Sequence, residues 1–408
     1  MKRVGSSYRQ VIRGQPSRTA TWRFLHSVSK DRQIMSSRNS GLKIVWWIDH
    51  LSVGGAQQAL VDLACGLSDW AGDQTIIVLN DQVAHRHRER LEGCGVEIRV
   101  VGKKRIVLGL GLFETYVYLR KREFDVSITF LFFSDVVGLV LAYLVGIDTR
   151  ITSQRSTNQH YNFAQRVILY PVFRLSSIIH FNCQSLLYRR PSYIPKHSAF
   201  SVIPNGIAFS TSDFGQKKHK LRAELGLDQN TILLGNVGRL SPEKGQRYLI
   251  EFLARLNRDD VDLILVGDGS QRKLLEKISK KHLVEKRVHF LGYREDVREI
   301  LQALNVYAQF SDFEGMPFAV LEAIASFCPV IASDVGGVAE LIPNNQYGWL
   351  ITGRRESEWI SALEDAVSSK SAASQKAIRA YDRAETLYSF GAILERWKSL
   401  IASCDLKT

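Results

Sequence analysis

Two glutamates, Glu314 and Glu322, carry the strongest chemical signal in the sequence, within the segment SDFEGMPFAVLEA at residues 311–323. The spacing predicts Glu314 in the loop that follows a strand and Glu322 about one turn into the next helix, so both carboxylates can face one cleft. Backbone N–H groups around Gly315 and Met316 would offer further contacts to an anion. Taken alone, the pattern is equally compatible with two solvent-exposed carboxylates.

A basic segment, GRLSPEKG at residues 238–245, is predicted to follow another strand. Ser241 is expected to cap a helix and Pro242 to occupy its first position. Arg239 and Lys244 would then lie on either side of the helix N-terminus. The fork of an arginine, the point charge of a lysine and the helix dipole can together neutralise a diphosphate.

Two glycine-rich turns complete the set of candidate ligand contacts. Gly54 and Gly55 follow the first predicted strand, and Gly267 and Gly269 flank Asp268 after a later one. Glycine lets the backbone come close to a ligand, and the next helix directs N–H groups at it. Ordinary tight turns explain each of them as well in isolation.

Short apolar runs alternate with amphipathic segments from residue 42 onward, which predicts parallel sheets covered by helices on both faces. We therefore predict an α/β fold of two tandem Rossmann-like, doubly wound parallel-sheet domains that face a central cleft. The predicted strands are 42–48, 74–79, 96–101, 125–130, 150–153, 177–183 and 200–203, then 231–237, 261–266, 288–291, 306–310, 330–333 and 349–351.

The predicted domain boundaries follow this repeat. Residues 1–40 form a basic, disordered tail, residues 41–205 the N-terminal domain, residues 206–390 the C-terminal domain, and residues 391–408 a helix that packs back on the N-terminal domain. An organellar transit peptide is the alternative for the tail. Met35, just before the first predicted strand, is a candidate for the true start.

The net charge of +13 is concentrated in the first half of the chain. Residues 1–40 hold nine Lys or Arg against one acid, and residues 41–205 hold eighteen bases against thirteen acids. A basic surface favours anionic partners such as a membrane, although a merely solvated face is also compatible with it.

Several classes of protein and site are disfavoured. Residues 126–146 imitate a membrane span but are better explained as a buried strand and its helix, with Ser134 and Asp135 as an N-cap pair. The five cysteines are far apart and form no C-x-x-C pair, which argues against a zinc site and for a reducing compartment. No P-loop, dinucleotide fingerprint or nucleic-acid-binding signature is evident, so no nucleic-acid partner is expected.

The chain resembles the GT-B glycosyltransferases of family 4 (group 1 type) over about residues 42–400. The resemblance is carried by four motifs in this order: the glycine pair, the basic helix start, the Gly-Asp-Gly turn and the E-G-x-P-x4-E motif. VIPNG at 202–206, FLGY at 290–293 and PVIAS at 329–333 match the same family. The resemblance implies a retaining hexosyltransferase that uses a nucleotide-sugar donor, needs no metal or other cofactor, and acts in polysaccharide or glycolipid biosynthesis.

The resemblance also implies roles for individual residues. The N-terminal domain would be the acceptor side and the C-terminal domain the nucleotide-sugar side. Arg239 and Lys244 would bind the diphosphate and, with Glu314, form the catalytic group, while Glu322 would hold the ribose hydroxyls. The implied donor contacts are Gly54, Gly55, Arg239, Lys244, Gly267, Tyr293, Glu314, Gly315, Met316 and Glu322. Arg155 and His160 are candidates for the acceptor, with a structural arginine and a solvated histidine as the alternatives.

Two positions depart from the family pattern. Gln57 stands where relatives often have glutamate, and Phe327 stands where they usually have a helix-ending glycine. A non-glycine residue in the left-handed conformation costs about 1 kcal/mol, so the helix before Phe327 is expected either to bear that cost or to end differently.

Other functions remain open at this stage. A catalytically silent GT-B scaffold, or a GT-B phosphorylase or epimerase, would share the fold. The implied acceptor is a glycan or a lipid-linked sugar. The implied location is cytoplasmic, with peripheral attachment to an anionic membrane face as a further expectation.

Overall fold

The computed structural model describes residues 41–156, 161–196, 198–209, 217–256, 258–353 and 355–405. The predicted tail, the alternative start at Met35 and the acceptor candidate His160 lie outside these residues.

Two parallel sheets form the centre of the described chain. The first has seven strands in the order β3-β2-β1-β4-β5-β6-β7, and the second has six in the order β10-β9-β8-β11-β12-β13. All thirteen predicted strands are present, with ends within two residues of the prediction. They are β1 (Ile44–Ile48), β2 (Gln74–Val78), β3 (Glu97–Val100), β4 (Val126–Phe130), β5 (Thr149–Gln154), β6 (Ile178–Phe181), β7 (Ala199–Val202), β8 (Ile232–Val237), β9 (Val261–Val266), β10 (Val288–Gly292), β11 (Val306–Gln309), β12 (Val330–Ser333) and β13 (Trp349–Ile351).

Helices connect successive strands, so both sheets are doubly wound and the predicted α/β fold is confirmed. Each strand order reverses beside its first strand (β1 or β8), and ligands bind at such switch points in open α/β sheets. The helices are α1 (Gly55–Gly66), α2 (His85–Gly93), α3 (Lys103–Val107), α4 (Leu110–Arg122), α5 (Phe132–Val145), α6 (Phe163–Phe173), α7 (Gln184–Tyr188), α8 (Lys217–Glu224), α9 (Gln246–Arg255), α10 (Arg272–Lys281), α11 (Val297–Ala303), α12 (Phe318–Ala325), α13 (Val338–Leu341), α14 (Glu356–Ser368), α15 (Lys370–Tyr388) and α16 (Phe390–Asp405).

The central strand β1 shows why the first sheet is buried on both faces. Its sequence IVWWI has no exposed residue, because consecutive side chains point to opposite faces and helices cover each. The indole N–H of Trp46 donates to Gln74 Oε1 at 2.9 Å, and that of Trp47 to Ser127 Oγ at 3.0 Å. These bonds satisfy the polar atoms of two large side chains in the core.

The apolar segment at residues 126–146 consists of β4 and α5, as predicted. No helix in the described part of the chain is long and apolar enough to cross a membrane. The prediction that Ser134 and Asp135 cap this helix is wrong, because α5 begins earlier, after Leu131. Asp135 is instead buried, and its carboxylate accepts hydrogen bonds from Thr152 Oγ1 at 2.6 Å and Gln154 Nε2 at 3.0 Å.

Phe327 adopts the left-handed conformation in which relatives use glycine, with φ at 54°. Its ring stacks on Tyr381, with centroids 3.8 Å apart and planes 14° from parallel. The stacking contact offsets part of the backbone cost and holds the end of α12 against α15.

Helix α16 returns to the first sheet after the second sheet is complete. Trp397 is 1% exposed and packs in the core that contains Trp46, with its ring centroid 4.5 Å from that of His180. Backbone hydrogen bonds join Ile207 N to Tyr388 O at 3.0 Å and Phe390 N to Ile207 O at 2.9 Å. The outgoing and returning chains between the domains are therefore tied to each other.

We expect Trp397→Ala to lower the free energy of unfolding by about 3–5 kcal/mol, because it leaves a cavity where an aromatic side chain was fully buried. Urea denaturation followed by circular dichroism measures the change. Glu395→Ala, on the same helix and with a side chain 51% exposed, is the matched control. A change below about 1 kcal/mol in Trp397→Ala would show that α16 contributes little to the N-terminal core.

Candidate active site

The folded chain pairs two of the predicted site residues directly. Lys244 Nζ donates to Glu314 Oε1 at 2.6 Å, although the residues are 70 positions apart. The same oxygen accepts from Ser311 Oγ at 2.8 Å and Gln309 Nε2 at 2.9 Å. A nearly buried carboxylate is thereby held in one orientation by three donors.

The turn that carries Lys244 differs from the predicted helix start. Residues Pro242–Lys244 form a short 3-10 turn, and α9 begins only at Gln246. Ser241 occupies the N-cap position of this 3-10 turn and Pro242 its first position, as predicted. The Ser241 hydroxyl makes no capping bond and donates instead to Glu243 Oε1 at 2.6 Å. Gly245 has φ at +63°, and a Cβ there would lie 1.9 Å from Phe310 O. This glycine lets the turn press against the end of β11 and so sets the position of Lys244.

Arg239 occupies the solvent side of the same turn. Its guanidinium lies 3.1 Å from Glu243 Oε1, and 72% of its side chain is exposed. An exposed ion pair of this kind is weak, so the guanidinium can exchange Glu243 for an incoming anion.

Gly267 supports this turn from the neighbouring strand. It has φ at +123°, and a Cβ there would lie 2.1 Å from Gly238 O. Leu240 N donates to Asp268 O at 3.0 Å. The Gly-Asp-Gly turn after β9 therefore packs backbone to backbone against the basic segment, and both of its glycines are needed because a Cβ would collide there. Direct contact of Gly267 with the donor stays a prediction.

The Gly54–Gly55 loop lies against the other domain. A Cβ on Gly55 would come within 3.3 Å of the Phe318 ring, at the start of α12. Gln57 is buried, and its amide lies 3.4 Å from the ring nitrogen and 3.4 Å from the backbone oxygen of His50. The residue that replaces the family's glutamate thus holds its own loop.

The two domains approach each other closely at Gly315, where a Cβ would lie 2.1 Å from Arg155 O. The Arg155 guanidinium donates to Asn205 Oδ1 and, at 3.2 Å, to Ser153 Oγ. Asn205 in turn donates to Met316 O at 2.7 Å. Arg155 therefore faces the interdomain crossing, and its predicted contact with the acceptor stays a prediction.

Glu322 and Tyr293 lie on the part of the C-terminal domain that faces α1 and α2. Burial, together with the nearby charge of Asp62, raises the pKa of Glu322 to about 7, against the lowering effect of Arg86. The Arg86 guanidinium also lies over the Tyr293 ring, 5.3 Å from its centroid. Glu322 and Tyr293, both predicted to contact the donor, thus interact with side chains of the N-terminal domain.

Sequence reasoning gave no role to several residues that the fold brings to this site. Gln309 and Ser311 could have been found from their alternation at the end of β11, which directs both toward Glu314. Asn205 lay inside a recognised motif but had no assigned contact. Arg86 and Asp62 carry no local signal, because their partners lie more than 200 positions away in sequence.

Among the described residues, no group of three or more histidine, cysteine, aspartate or glutamate side chains could hold a metal ion. The polar groups of the cleft include the cations Arg239 and Lys244, the carboxylates Glu314 and Glu322, and the backbone of glycine-rich turns, at facing edges of two Rossmann-like sheets. This arrangement is suited to a diphosphate ester bound across the cleft.

Comparisons with known proteins agree with a site for a diphosphate ester, because the similar proteins are glycosyltransferases. Residues 217–384 match the family described as Glycosyl transferases group 1. A UDP-Gal:alpha-D-GlcNAc-diphosphoundecaprenol alpha-1,3-galactosyltransferase from Escherichia coli is 28% identical over 271 residues, which are 62% of this chain and 68% of that protein. An N-acetylgalactosaminyltransferase of Campylobacter jejuni, named for a diphospho-undecaprenol acceptor, is 24% identical over 79% of this chain and 89% of its own.

The solved structure of Anabaena HepE in complex with UDP and glucose has the same fold, with a TM-score of 0.78 and 23% identity. The similarity covers 89% of this chain and all of that one. The fold is therefore GT-B. The chain is a glycosyltransferase, and its residues 217–384 are similar to the group 1 family.

We expect Lys244→Ala to lower turnover by at least about 100-fold, because losing one group that stabilises developing charge costs about 2.7–4 kcal/mol. Nucleotide release from a donor sugar measures the rate, and the unfolding midpoint reports the fold. The matched control is Arg247→Ala. Arg247 lies three residues further along the chain and pairs with Glu251 of its own helix at 3.2 Å. Near-normal kinetics in a folded Lys244→Ala protein would exclude Lys244 from the diphosphate site.

Proposed function

We propose that the protein transfers a hexosyl unit from a nucleoside-diphosphate sugar to a glycan or lipid-linked acceptor, with retention of anomeric configuration. The observation that carries the proposal is the Lys244–Glu314 pair, a cation and a carboxylate 2.6 Å apart, next to Gly315, where the two domains are in close contact. The cation suits the diphosphate, and the carboxylate can accept hydrogen bonds from sugar hydroxyls.

The chemical step is the exchange of one bond to the sugar C1. The bond to the β-phosphate oxygen breaks, and the leaving diphosphate gains negative charge. Lys244 and Arg239 neutralise this charge from preorganised positions, which lowers the barrier. Glu314, with the Gly315 and Met316 amides, holds the sugar, and Glu322 holds the ribose hydroxyls.

Retention requires the acceptor oxygen to take the face that the diphosphate leaves. On that face the departing phosphate oxygen is the nearest base for the proton of the acceptor hydroxyl. The anomeric proton of the product, followed by NMR, distinguishes retention from inversion.

The names of similar proteins support the choice of substrates. The Escherichia coli and Campylobacter jejuni relatives are named for undecaprenol-linked diphosphate acceptors, and the Anabaena structure contains UDP. We therefore propose a uridine-diphosphate sugar as donor and a lipid-linked sugar as acceptor. Arg155 and His160 remain the proposed acceptor contacts on the N-terminal domain.

A panel of UDP-, GDP- and ADP-sugars tests the donor assignment. We expect at least one UDP-sugar to release UDP slowly in water and faster with a lipid-linked acceptor, and Lys244→Ala to abolish both. Binding without release would indicate a silent scaffold. Release that depends on inorganic phosphate, or a changed sugar stereocentre, would indicate a phosphorylase or an epimerase.

One outer surface of the N-terminal domain suits a membrane that bears such an acceptor. Helices α3 and α4 expose apolar side chains together with several bases, and we call this set the apolar–basic surface. It consists of Val107, Leu108, Leu110, Phe113 and Val117, which are 44–80% exposed, and of Lys103, Lys104, Arg120 and Lys121. Exposed apolar groups among bases are typical of peripheral binding to anionic lipid, at about 1 kcal/mol per base near the surface.

We expect the protein to sediment at low salt with vesicles of phosphatidylglycerol and phosphatidylcholine, but not with phosphatidylcholine alone. Salt should weaken the binding, because screening shortens electrostatic attraction. Lys103→Glu with Lys104→Glu should reduce it at least tenfold. The same reversal at Lys280 and Lys281, at the end of α10 in the other domain, is the matched control. Equal sedimentation with neutral and anionic vesicles, or none with either, would contradict the proposal.

A further inference from the structure

Arg86, in the first turn of α2, reaches from the N-terminal domain to Glu322, which is proposed to hold the ribose, and to Tyr293, a predicted donor contact. Its guanidinium carbon lies 5.3 Å from the centroid of the Tyr293 ring, over the ring face. It also interacts electrostatically with Glu322. Both partners belong to the other domain, so these contacts form only when α2 lies against the C-terminal domain.

The position of Arg86 is unfavourable for the stability of α2 itself. A cation in the first turn opposes the helix dipole, and the first turn of α2 has no acidic residue to compensate. The Nε of Arg86 is closed from solvent and has no hydrogen-bond partner in the described part of the chain. A buried donor without an acceptor costs stability, so a ligand that supplies an acceptor would relieve this cost.

We propose that Arg86 is a positioning residue for the nucleoside half of the donor, reaching across the cleft to Tyr293 and Glu322 and so completing the pocket for the base and ribose. The proposal rests on the donor function proposed above. It adds a residue of the N-terminal domain to a site whose nucleoside contacts otherwise come from the C-terminal domain.

The charge of Arg86 acts through Glu322. The titratable groups that interact with this carboxylate are Asp62 on α1, Arg86 on α2 and Tyr307 on β11. Asp62 is itself paired with Arg90 at 2.6 Å, which leaves Arg86 as the group that favours the ionised carboxylate of Glu322. An ionised carboxylate only accepts hydrogen bonds, as binding of two ribose hydroxyls requires.

The sign of the pH dependence follows from this. Glu322 has a pKa of about 7, so its ionised fraction, and with it nucleotide affinity, should rise between pH 6 and pH 8. Without Arg86 the pKa of Glu322 rises further, and the same increase in affinity should move to higher pH. A purely structural role for Arg86 would not move that midpoint.

The planar shape of Arg86 matters separately from its charge. A guanidinium can stack on a nucleobase beside Tyr293, whereas a lysine ammonium cannot offer a flat face. Arg86→Lys should therefore keep the pH midpoint of the wild type while binding nucleotide less tightly.

Calorimetric titration with UDP between pH 6 and pH 9 tests the proposal on the full chain. We expect Arg86→Ala and the longer Arg86→Gln to weaken UDP binding about tenfold at pH 7, because Glu322 would then be largely protonated and the flat guanidinium would be lost. The loss should shrink at pH 9. Arg88→Ala, on the same helix but paired with Glu92 at 3.5 Å, should bind UDP like the wild type. Glu322→Gln should make the pH dependence the same with and without Arg86, leaving only the titration of the terminal phosphate of UDP.

Unchanged affinity, tighter binding or an unmoved pH midpoint in folded Arg86→Ala and Arg86→Gln proteins would overturn the role of Arg86. If the wild type binds none of UDP, GDP and ADP and releases no nucleotide from any donor, the proposed function itself fails. If the wild type binds UDP but the Arg86 variants match it, only this inference fails.

Discussion

The carboxylate of Glu314 is the group around which the C-terminal side of the cleft is built. Its side chain is 9% exposed, and a charge so far from water is tolerated only with close partners. Lys244 supplies the opposite charge, and Gln309 and Ser311 supply two further donors. Lys244 can reach it only because Gly245 turns left-handed against the end of β11. One buried charge thus fixes two loops from neighbouring strands.

The relation between the two domains depends in part on a backbone contact that admits no side chain. At Gly315 a Cβ would collide with Arg155 O, whereas at Gly55 a Cβ would meet only the Phe318 ring, at 3.3 Å. The hydrogen bonds from Arg155 to Asn205 and from Asn205 to Met316 O fix the orientation of the Gly315 loop relative to the N-terminal domain. Hydrogen bonds fix orientation, which apolar packing alone does not, so the loop proposed to hold the sugar keeps a defined place above the N-terminal sheet.

Charge is divided between the domains in a way that matches their proposed tasks. Residues 206–408 hold equal numbers of acidic and basic residues, and their cations serve local pairs such as Lys244–Glu314. The excess of bases lies in the first 205 residues, and part of it borders the apolar–basic surface. A net field acts over about a Debye length, whereas a paired cation acts only on its contact. The net positive field of the first half of the chain can attract a membrane, and a paired cation such as Lys244 can orient a single diphosphate.

Local patterns in the amino-acid sequence were enough to predict the thirteen strands and the two sheets, which the structure confirms. The same patterns propose the motif residues of the donor site, and their roles stay predictions. Each depends on short-range information: alternating apolar runs, and glycines at turns where a Cβ would collide with the backbone. Such information failed at Ser134 and Asp135, because the first backbone N–H groups of α5, those of Phe133 and Ser134, donate to the carboxylate of Asp49, more than 80 positions earlier. Long-range packing paired Lys244 with Glu314, joined Asn205 to Met316, and brought Arg86 to Tyr293 and Glu322. Those partners are 70 or more positions apart, and their meeting depends on how two sheets and their loops pack, which no local pattern in the chain encodes.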